Sequence, residues 1–310
     1  MYRFFAVVLL SLSLSLPFAP SAFAKDAATE QSDTPEVKAY KEAVRYWTDE
    51  MKKNPRDVEP YYRRGNAHAN LRAYKTALED YGNALKINPK ESRVLINRAN
   101  VYGKLGEHKL ALEDLDRSIE INPKDVVARF SRCIAHGLLG DYKEAVEDCT
   151  KVLELEPRYT SAYVNRGGAY EGMGKHKEAL QDYDAAIKMD PKSGVAYFNR
   201  STVYGAMGDY KSAIKDATKA LKLDPLNTGA MMNRGKALVL QGKIKEGIKD
   251  YDRAIELDFN NAEAHAGRGS AYGKLGDRQK ALEDYKMAAR LGLPSAQEFL
   301  KSNKIDWKSD

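Results

Sequence analysis

The chain has 310 residues, of which 43% are hydrophobic and 30% are charged, with 22 Gly and 11 Pro. This composition is typical of an ordered protein with a hydrophobic core and excludes a low-complexity chain. The 50 Lys and Arg against 44 Asp and Glu leave a net charge of +6, which is too small to indicate a polyanionic partner unless the charge is clustered. Two cysteines exclude a disulfide-rich scaffold and a zinc site built from cysteine pairs.

Residues 1–24 have the pattern of a secretory signal peptide. After a positive start, residues 4–16 form an apolar run diluted by serines, and a small-x-small cleavage site ends at Ala24. An uncleaved membrane anchor is the alternative interpretation. Cleavage leaves Lys25 rather than the Cys that a lipid anchor requires. We therefore expect an exported bacterial protein, periplasmic or secreted, without a lipid anchor or membrane insertion, in which residues 25–34 are a flexible linker.

The rest of the chain repeats with a period of 34 residues. Evenly spaced prolines mark this period: Pro89, Pro123, Pro157, Pro191 and Pro225. Seven units start at Val58, Ser92, Val126, Thr160, Gly194, Thr228 and Ala262. Together the units fill residues 58–295, so a repeat array accounts for most of the chain. One unit cannot bury its own apolar face, but stacked units can.

Each unit contains two helical patterns separated at position 15, which is Gly in six units and Arg72 in the first. Position 8 is small in every unit and position 20 is Ala in six of them, so the two helices can approach closely. The unit at 160–193 shows the full pattern: Tyr163, Gly167, Tyr170, Gly174, Ala179, Ala186 and Pro191. This pattern resembles the tetratricopeptide repeat. The resemblance implies an all-α fold, a right-handed superhelical solenoid of about seven helix-turn-helix repeats with a concave inner wall.

The segments on either side of the array are expected to cap it. Residues 35–57 match the second helix of a repeat, with Ala43 and Trp47 in the core positions. Residues 294–302 can form a short terminal helix, because they begin with a proline, which is favourable at a helix start. Residues 303–310 remain as a tail.

Position 7 is Arg and position 23 is Asp in all seven units. The two positions lie at a similar height in an antiparallel helical hairpin, which favours structural ion pairs such as Arg166 with Asp182. A charged strip that binds a ligand is the alternative interpretation. The pattern leaves open whether each pair forms within a unit or between neighbours.

Cys133 and Cys149 occupy positions 8 and 24 of the third unit, which face each other across its hairpin. Export would place them in an oxidising compartment, where a disulfide can form. Two buried thiols are the alternative interpretation, because small residues are tolerated at these positions.

The tetratricopeptide resemblance also implies that ligands bind to the inner wall, which is lined by positions 2, 5, 6, 9, 12 and 13. Position 5 is not Lys in any unit, so the carboxylate clamp of the chaperone-binding members is absent. The candidate groove contains apolar side chains instead: Val127, Phe130, Ile134, Val195, Phe198 and Met232. In the alternative interpretation, several of these side chains pack against neighbouring helices and are not available to a ligand.

Position 6 adds a row of amides: Asn97, Asn165, Asn199 and Asn233. An amide side chain can donate and accept hydrogen bonds, so the row can pair with the main chain of an extended peptide. The row is similar to the asparagine ladder of the nucleocytoplasmic sugar transferase that modifies Ser and Thr. Solvated asparagines on a helix surface are the alternative interpretation.

The sequence offers little support for catalysis or for nucleic acid binding. No two of the five histidines have the i, i+4 spacing of a helical metal site, and hydrolase and phosphate-loop motifs are missing. The net charges of the units lie between −1 and +2, so no basic stripe is expected. We therefore predict a non-enzymatic scaffold, without cofactor or metal, that binds a polypeptide segment of a protein partner. A structural component of an envelope or secretion machine and an accessory subunit of an envelope enzyme are the alternatives.

Overall fold

The computed structural model describes residues 34–308, which form 16 helices and no strand. The predicted fold class, an all-α solenoid of helix-turn-helix repeats, is confirmed for this part of the chain. The predicted signal peptide, residues 1–24, lies outside the described residues, as does the predicted linker up to residue 33.

The described part of the chain divides into two compact units, residues 34–174 and residues 175–308. From here on, 'unit' means one of these two, and each 34-residue stretch is called a repeat. The first unit consists of α1 (Pro35–Lys53), α2 (Val58–Asn70), α3 (Tyr74–Ile87), α4 (Ser92–Lys104), α5 (His108–Ile121), α6 (Val126–Leu139), α7 (Tyr142–Leu155) and α8 (Thr160–Gly172). The second unit consists of α9 (His176–Met189), α10 (Gly194–Ala206), α11 (Tyr210–Leu223), α12 (Thr228–Leu240), α13 (Ile244–Leu257), α14 (Ala262–Leu275), α15 (Arg278–Arg290) and α16 (Pro294–Ser302). From α2 to α15, the even-numbered helices are the first helices of their repeats and the odd-numbered helices are the second.

Side-chain caps explain where the first helices begin. Each follows position 34 of the preceding repeat, which is Asp, Asn or Ser in five of seven cases. For example, the Oδ1 atoms of Asp125 and Asn227 accept hydrogen bonds from the main-chain N–H groups of Ala128 and Ala230, at 2.9 and 2.8 Å. These bonds satisfy N–H groups that have no partner within the helix.

The turn between the two helices of a repeat requires a left-handed backbone. The six glycines at position 15 have φ values between 71° and 85°, which glycine adopts without steric cost. In the first repeat Arg72 adopts the same conformation, with φ of 58°. This conformation is sterically unfavourable for a residue with a Cβ atom. The repeat fold therefore imposes the same turn geometry on Arg72 as on the glycines.

The two helices of a repeat meet at positions 8 and 24, where in most repeats a large residue faces a small one. Wherever position 24 is Tyr, position 8 is Gly. Six of these pairs of positions 8 and 24 lie wholly within one of the two compact units: Gly65–Tyr81, Ala99–Leu115, Cys133–Cys149, Ser201–Ala217, Gly235–Tyr251 and Gly269–Tyr285. A Cβ atom on Gly65 would lie 2.7 Å from the Tyr81 ring, so the large side chain fills the space that the small one leaves.

The helices of each unit form two layers. In the first unit α2 contacts α4, α4 contacts α6 and α6 contacts α8, and in the second unit α10 contacts α12 and α12 contacts α14. Some second helices pack between the first helices of two successive repeats: α3, α5 and α7 in the first unit and α11 and α13 in the second. The first helices therefore make up the inner layer of each unit, which is where the predicted site residues lie.

An additional helix packs on each terminal repeat. α1 packs on α2, where Arg64 Nη1 donates a hydrogen bond of 3.2 Å to Thr48 Oγ1 of α1. α16 packs on α15 and buries Ala296 and Leu300. Both helices lie in segments that the sequence predicts to be caps, and each covers apolar surface that a terminal repeat would otherwise expose.

Candidate peptide-binding site

The repeated Arg and Asp residues pair within a repeat. The guanidinium of Arg98 donates two hydrogen bonds to Asp114, from Nε to Oδ2 at 2.7 Å and from Nη2 to Oδ1 at 2.6 Å. The same two-bond pair forms in five other repeats: Arg64–Asp80, Arg132–Asp148, Arg200–Asp216, Arg234–Asp250 and Arg268–Asp284. Each of these six aspartates is at most 7% exposed, so these pairs belong to the core and not to a ligand-binding strip. The pair predicted between Arg166 and Asp182 stays a prediction.

Six of the seven position-7 arginines, all except Arg98, also bind the residue that corresponds to position 25 in the preceding repeat or, for Arg64, in α1. Arg132 Nη1 donates a hydrogen bond of 2.7 Å to Asp116 Oδ1. The equivalent links are Arg64 to Thr48, Arg166 to Thr150, Arg200 to Asp184, Arg234 to Thr218 and Arg268 to Asp252. We call this series of contacts the arginine ladder. Hydrogen bonding to Asp148 raises the pKa of Arg132 above its ordinary value, against the opposing effect of burial, and Asp116 raises it further.

A disulfide joins Cys133 of α6 to Cys149 of α7, with the two Cα atoms 5.6 Å apart. Both residues are at most 1% exposed. The bond occupies positions 8 and 24, where most other repeats have a large residue packed against a small one. The two helices of the third repeat are therefore joined covalently, whereas those of the other repeats are held together by packing. Because such bonds persist in oxidising compartments and are rare in the cytosol, the compartment determines whether this one exists.

In the first unit, the inner helix α6 exposes apolar side chains along one face. Val127 is 53% exposed and Leu138 is 38% exposed. Ile134 lies between them at helical spacing and is half-buried. We call these three residues the α6 stripe. Phe130 lies next to the stripe, where its ring packs against that of Tyr159 with the centroids 4.8 Å apart, and it is half-buried.

The helices on either side of α6 carry two of the predicted amides. Asn97 Nδ2 on α4 donates to Asn66 Oδ1 at 2.7 Å and to the Tyr62 hydroxyl at 3.2 Å. Asn165 Nδ2 on α8 donates to the main-chain oxygen of Ser161 at 2.8 Å. The amide donors are thus used within the protein, and the Oδ1 atoms are the groups with which these side chains can accept N–H groups of a ligand.

The second unit places four more predicted residues on α10 and α12. Val195 and Asn199 are half-buried and lie one turn apart on α10. Asn233 Nδ2 on α12 donates a hydrogen bond of 2.8 Å to Thr202 Oγ1. Met232 is half-buried and packs against two clusters of core residues. Val195, Asn199, Met232 and Asn233 are therefore more buried than Val127 and Leu138 of the α6 stripe.

Phe198 belongs to the core of the second unit. It is 9% exposed, and its ring lies 3.0 Å from the place where a Cβ atom on Gly229 would be. The ring packs with Ala220 and Ala230. The alternative interpretation of the apolar positions, packing against neighbouring helices, holds for Phe198, whose ring offers a ligand little surface.

Two sets of contacts at the site were not predicted: the links of the arginine ladder and the hydrogen bonds that Asn97 and Asn233 donate to the preceding repeats. The ladder had a signal in the sequence, because position 25 holds mostly short hydrogen-bonding side chains: Thr48, Asp116, Thr150, Asp184, Thr218 and Asp252. The amide contacts had none, since they depend on how one repeat is placed on the next.

His265 illustrates a structural role for a histidine in the array. It occupies position 4, is 3% exposed, and its Nε2 atom lies 3.1 Å from the main-chain oxygen of Phe259. Tyr163 occupies the same position in its repeat and donates its hydroxyl to the equivalent oxygen, that of Pro157, at 3.4 Å. Residues 34–308 contain no group of three or more acidic, His or Cys side chains that could hold a metal ion. No helix in this range is long and apolar enough to cross a bilayer.

Models of the tetratricopeptide repeat match six stretches of the chain: residues 58–91, 92–125, 135–159, 160–193, 194–227 and 262–291. A further TPR repeat model matches residues 235–276. Several of these matches begin at the residues where the 34-residue repeats start. A comparison with the curated proteins finds no match.

Solved structures with this fold include a tetratricopeptide repeat protein from Parabacteroides merdae, which is 19% identical with a TM-score of 0.65 over 79% of this chain and 97% of that chain. Pseudomonas aeruginosa pilF is 20% identical with a TM-score of 0.59 over 68% of this chain and 97% of that chain. YrrB, a TPR protein with an unusual peptide-binding site, is 24% identical with a TM-score of 0.50 over 63% of this chain and 100% of that chain. Because repeat models match most of the sequence and the helices pair accordingly, the chain belongs to the tetratricopeptide repeat proteins, whose fold is a scaffold for protein–protein interaction.

Proposed function

We propose that this protein is an exported scaffold that binds an extended segment of a partner polypeptide on its inner helices. The observation that carries the proposal is the α6 stripe, in which Val127 and Leu138 are exposed on the inner layer of the first unit. Neighbouring inner helices place the amides of Asn97 and Asn165 on either side of it. Apolar side chains grouped on one exposed face are typical of a binding surface.

The apolar side chains and the amides would contribute to binding in different ways. Apolar side chains of the peptide would lose water against the α6 stripe, which favours binding and selects apolar residues. The Oδ1 atoms of the asparagines would accept main-chain N–H groups, which every peptide has, and so would orient the segment without reading its sequence. Val195 and Asn199, which are half-buried on α10, offer a surface of the same kind in the second unit.

Export is supported by two observations. Residues 1–24 have the signal-peptide pattern, and the Cys133–Cys149 pair has the geometry of a disulfide, a bond that persists in the periplasm and in secreted proteins. We propose that the mature chain begins at Lys25 in one of these compartments.

A variant of the α6 stripe tests the proposal. A peptide array probed with the purified mature protein would identify ligands, whose affinities fluorescence anisotropy would then measure. Val127→Ser combined with Leu138→Ser should weaken binding by about tenfold or more, since removing an apolar side chain from a binding interface costs on the order of 1 kcal/mol. Both side chains are exposed, so the helix content should be unchanged.

Leu110→Ser is the matched control. Leu110 is 39% exposed on α5, which is a second helix of the same unit, so its substitution should leave binding unchanged. Equal affinities of the stripe variant and of the wild type would move the contact surface away from the inner helices. That result would favour a structural component of an assembly.

A further inference from the structure

The second unit contains a cleft of about 450 Å³ bounded by α10 and α11. Seven residues line it: Tyr197, Arg200, Lys215, Asp216, Thr218, Lys219 and Lys222. None of them occupies a position of the inner wall, so the cleft is separate from the surfaces proposed above to bind a peptide. Four of the seven are cations and one is an acid. Because Arg200 is paired with Asp216, the three lysines set the chemistry of the cleft.

The charge of α11 differs from that of every other second helix in the array. α11 contains four lysines and one acidic residue, Asp216, whereas each of the other second helices contains at least two acidic residues. Asp216 is 3% exposed and accepts two hydrogen bonds from Arg200. Its charge is therefore compensated, and the lysines of α11 are left with an excess of positive charge.

Three of these lysines lie on one face of α11. Lys215, Lys219 and Lys222 have the i, i+4, i+7 spacing that aligns side chains on a helix, and all three are exposed. Within residues 34–308 the structure gives none of them an ion-pair partner. Lys219 Nζ lies 6.0 Å from the centre of the Tyr197 ring.

The residue at position 25 adds to this difference. It is Thr218 in this repeat, whereas the preceding and following repeats have Asp184 and Asp252 there. A ligand in the cleft would therefore meet a hydroxyl group where a carboxylate would repel an anion. The excess charge, its alignment and the missing carboxylate all favour an anionic ligand.

We propose that this basic cleft binds a short acidic segment of a polypeptide partner. In an extended peptide, every second side chain points to the same side, at intervals of roughly 7 Å. Successive lysines on α11 are offset by about 6 Å and about 4.5 Å along the helix axis, which long lysine side chains can adjust. Glutamates or aspartates at alternate positions of the peptide would therefore each meet a lysine.

The surroundings favour a short acidic segment over a nucleic acid. The second helices next to α11 in the array are both acidic: α9 has three acidic residues and two lysines, and α13 has four acidic residues and three cations. A long polyanion that leaves the cleft toward either helix would meet like charge. Nucleic acid binding requires a longer basic surface than the three lysines of one helix provide.

The test uses a fluorescent peptide of about six residues in which glutamate alternates with serine, which is long enough to span the three lysines. Anisotropy measured with the full mature chain should show binding that weakens as the salt concentration rises. The triple variant Lys215→Gln, Lys219→Gln and Lys222→Gln should reduce the affinity by about tenfold or more. A peptide with glutamine in place of glutamate should bind neither protein.

The matched control changes three cations of α13, Lys245→Gln, Lys249→Gln and Arg253→Gln, and should leave the affinity within about twofold, because these cations are already balanced by acids on the same helix. An equal loss in both triple variants would reduce the effect to net charge and overturn the proposal. Absence of binding to the glutamate peptide would also overturn it. So would tighter binding of a short thymidine oligonucleotide that depends on the same three lysines, since the partner would then be a nucleic acid.

Discussion

At the scale of single residues, the contact between the two helices of a repeat depends on compensation in size between positions 8 and 24. Tyr81 fills the space above Gly65, and Leu115 packs with Ala99 in the next repeat. These two pairs fill a similar volume with different side chains. Since protein interiors are close-packed, a change at one position should be tolerated only with a change at the other.

Replacing Gly65 with Ala tests this compensation. The substitution should destabilise the protein by about 1–2 kcal/mol, because the new methyl group would lie 2.7 Å from the Tyr81 ring and overpacking outweighs the gain in helix propensity. The double variant Gly65→Ala, Tyr81→Leu reproduces the pair Ala99–Leu115. It should be more stable than the sum of the two single changes by roughly 1 kcal/mol. Urea denaturation of the four proteins measures these free energies of unfolding.

Gly82→Ala provides the control for helix propensity. It lies in the facing helix α3, and an added Cβ atom would have nothing within 4 Å. This variant should therefore be more stable than the wild type by about 0.5–1 kcal/mol. Strictly additive effects of the Gly65 and Tyr81 substitutions would show that the two positions do not compensate each other.

At the scale of the element, the hairpins of the array share one geometry but are closed in different ways. Most are closed by apolar packing and by a buried Arg–Asp pair, whereas the α6–α7 hairpin also has a disulfide. The same hairpin carries the α6 stripe. A ligand that pulls on α6 would therefore act on a helix that is covalently fixed to its neighbour.

Reduction of the disulfide should lower the free energy of unfolding by about 3 kcal/mol, because it releases a loop between residues separated by 16 positions in the sequence. The variant Cys133→Ala, Cys149→Leu reproduces the pair Ala99–Leu115 and should keep the hairpin packed without the bond. Thermal unfolding with and without dithiothreitol should show a lower Tm for the reduced wild type and no change for the variant. Free thiols in protein purified from its native compartment would contradict this prediction.

At the scale of the whole molecule, the features predicted from the sequence are those that depend on local chemistry repeated seven times. Capping residues, turn glycines and small residues in the hairpin have the same surroundings in nearly every repeat. Exposure on the inner layer depends instead on the next repeat. Phe130 and Phe198 both occupy position 5, yet Phe130 is half-buried beside Tyr159 and Phe198 is buried against Gly229.

The basic cleft was missed for a related reason. The net charge of a whole repeat spreads the four lysines of α11 over 34 residues. A charge count for each helix separately would have indicated the difference between α11 and its neighbours. The existence of the cleft and the pairing of Asp216 with Arg200 are visible only in the structure.

The arginine ladder has a consequence for how the first unit loses its structure. In a linear array, cooperativity passes from one repeat to the next through their shared contacts. Arg98 is position 7 of the second repeat, and position 25 of the preceding repeat is Gly82, which has no side chain to accept its hydrogen bond. The ladder is therefore interrupted between α3 and α4. We expect the amides of α2 and α3 to exchange hydrogen as a separate block, before those of α6 and α7.

Gly82→Asp would supply the missing carboxylate, and Gly82→Ala would supply the same gain in backbone stiffness without it. Both variants should slow exchange in α2 and α3 by stiffening α3. The Asp variant should slow it further, toward the rate of α6 and α7, because only it couples the two sides of the gap. Equal exchange profiles in the two variants would show that the ladder carries no coupling. The gap at Gly82 thus gives one end of the array a boundary at which it can open while the helices that carry the α6 stripe stay folded.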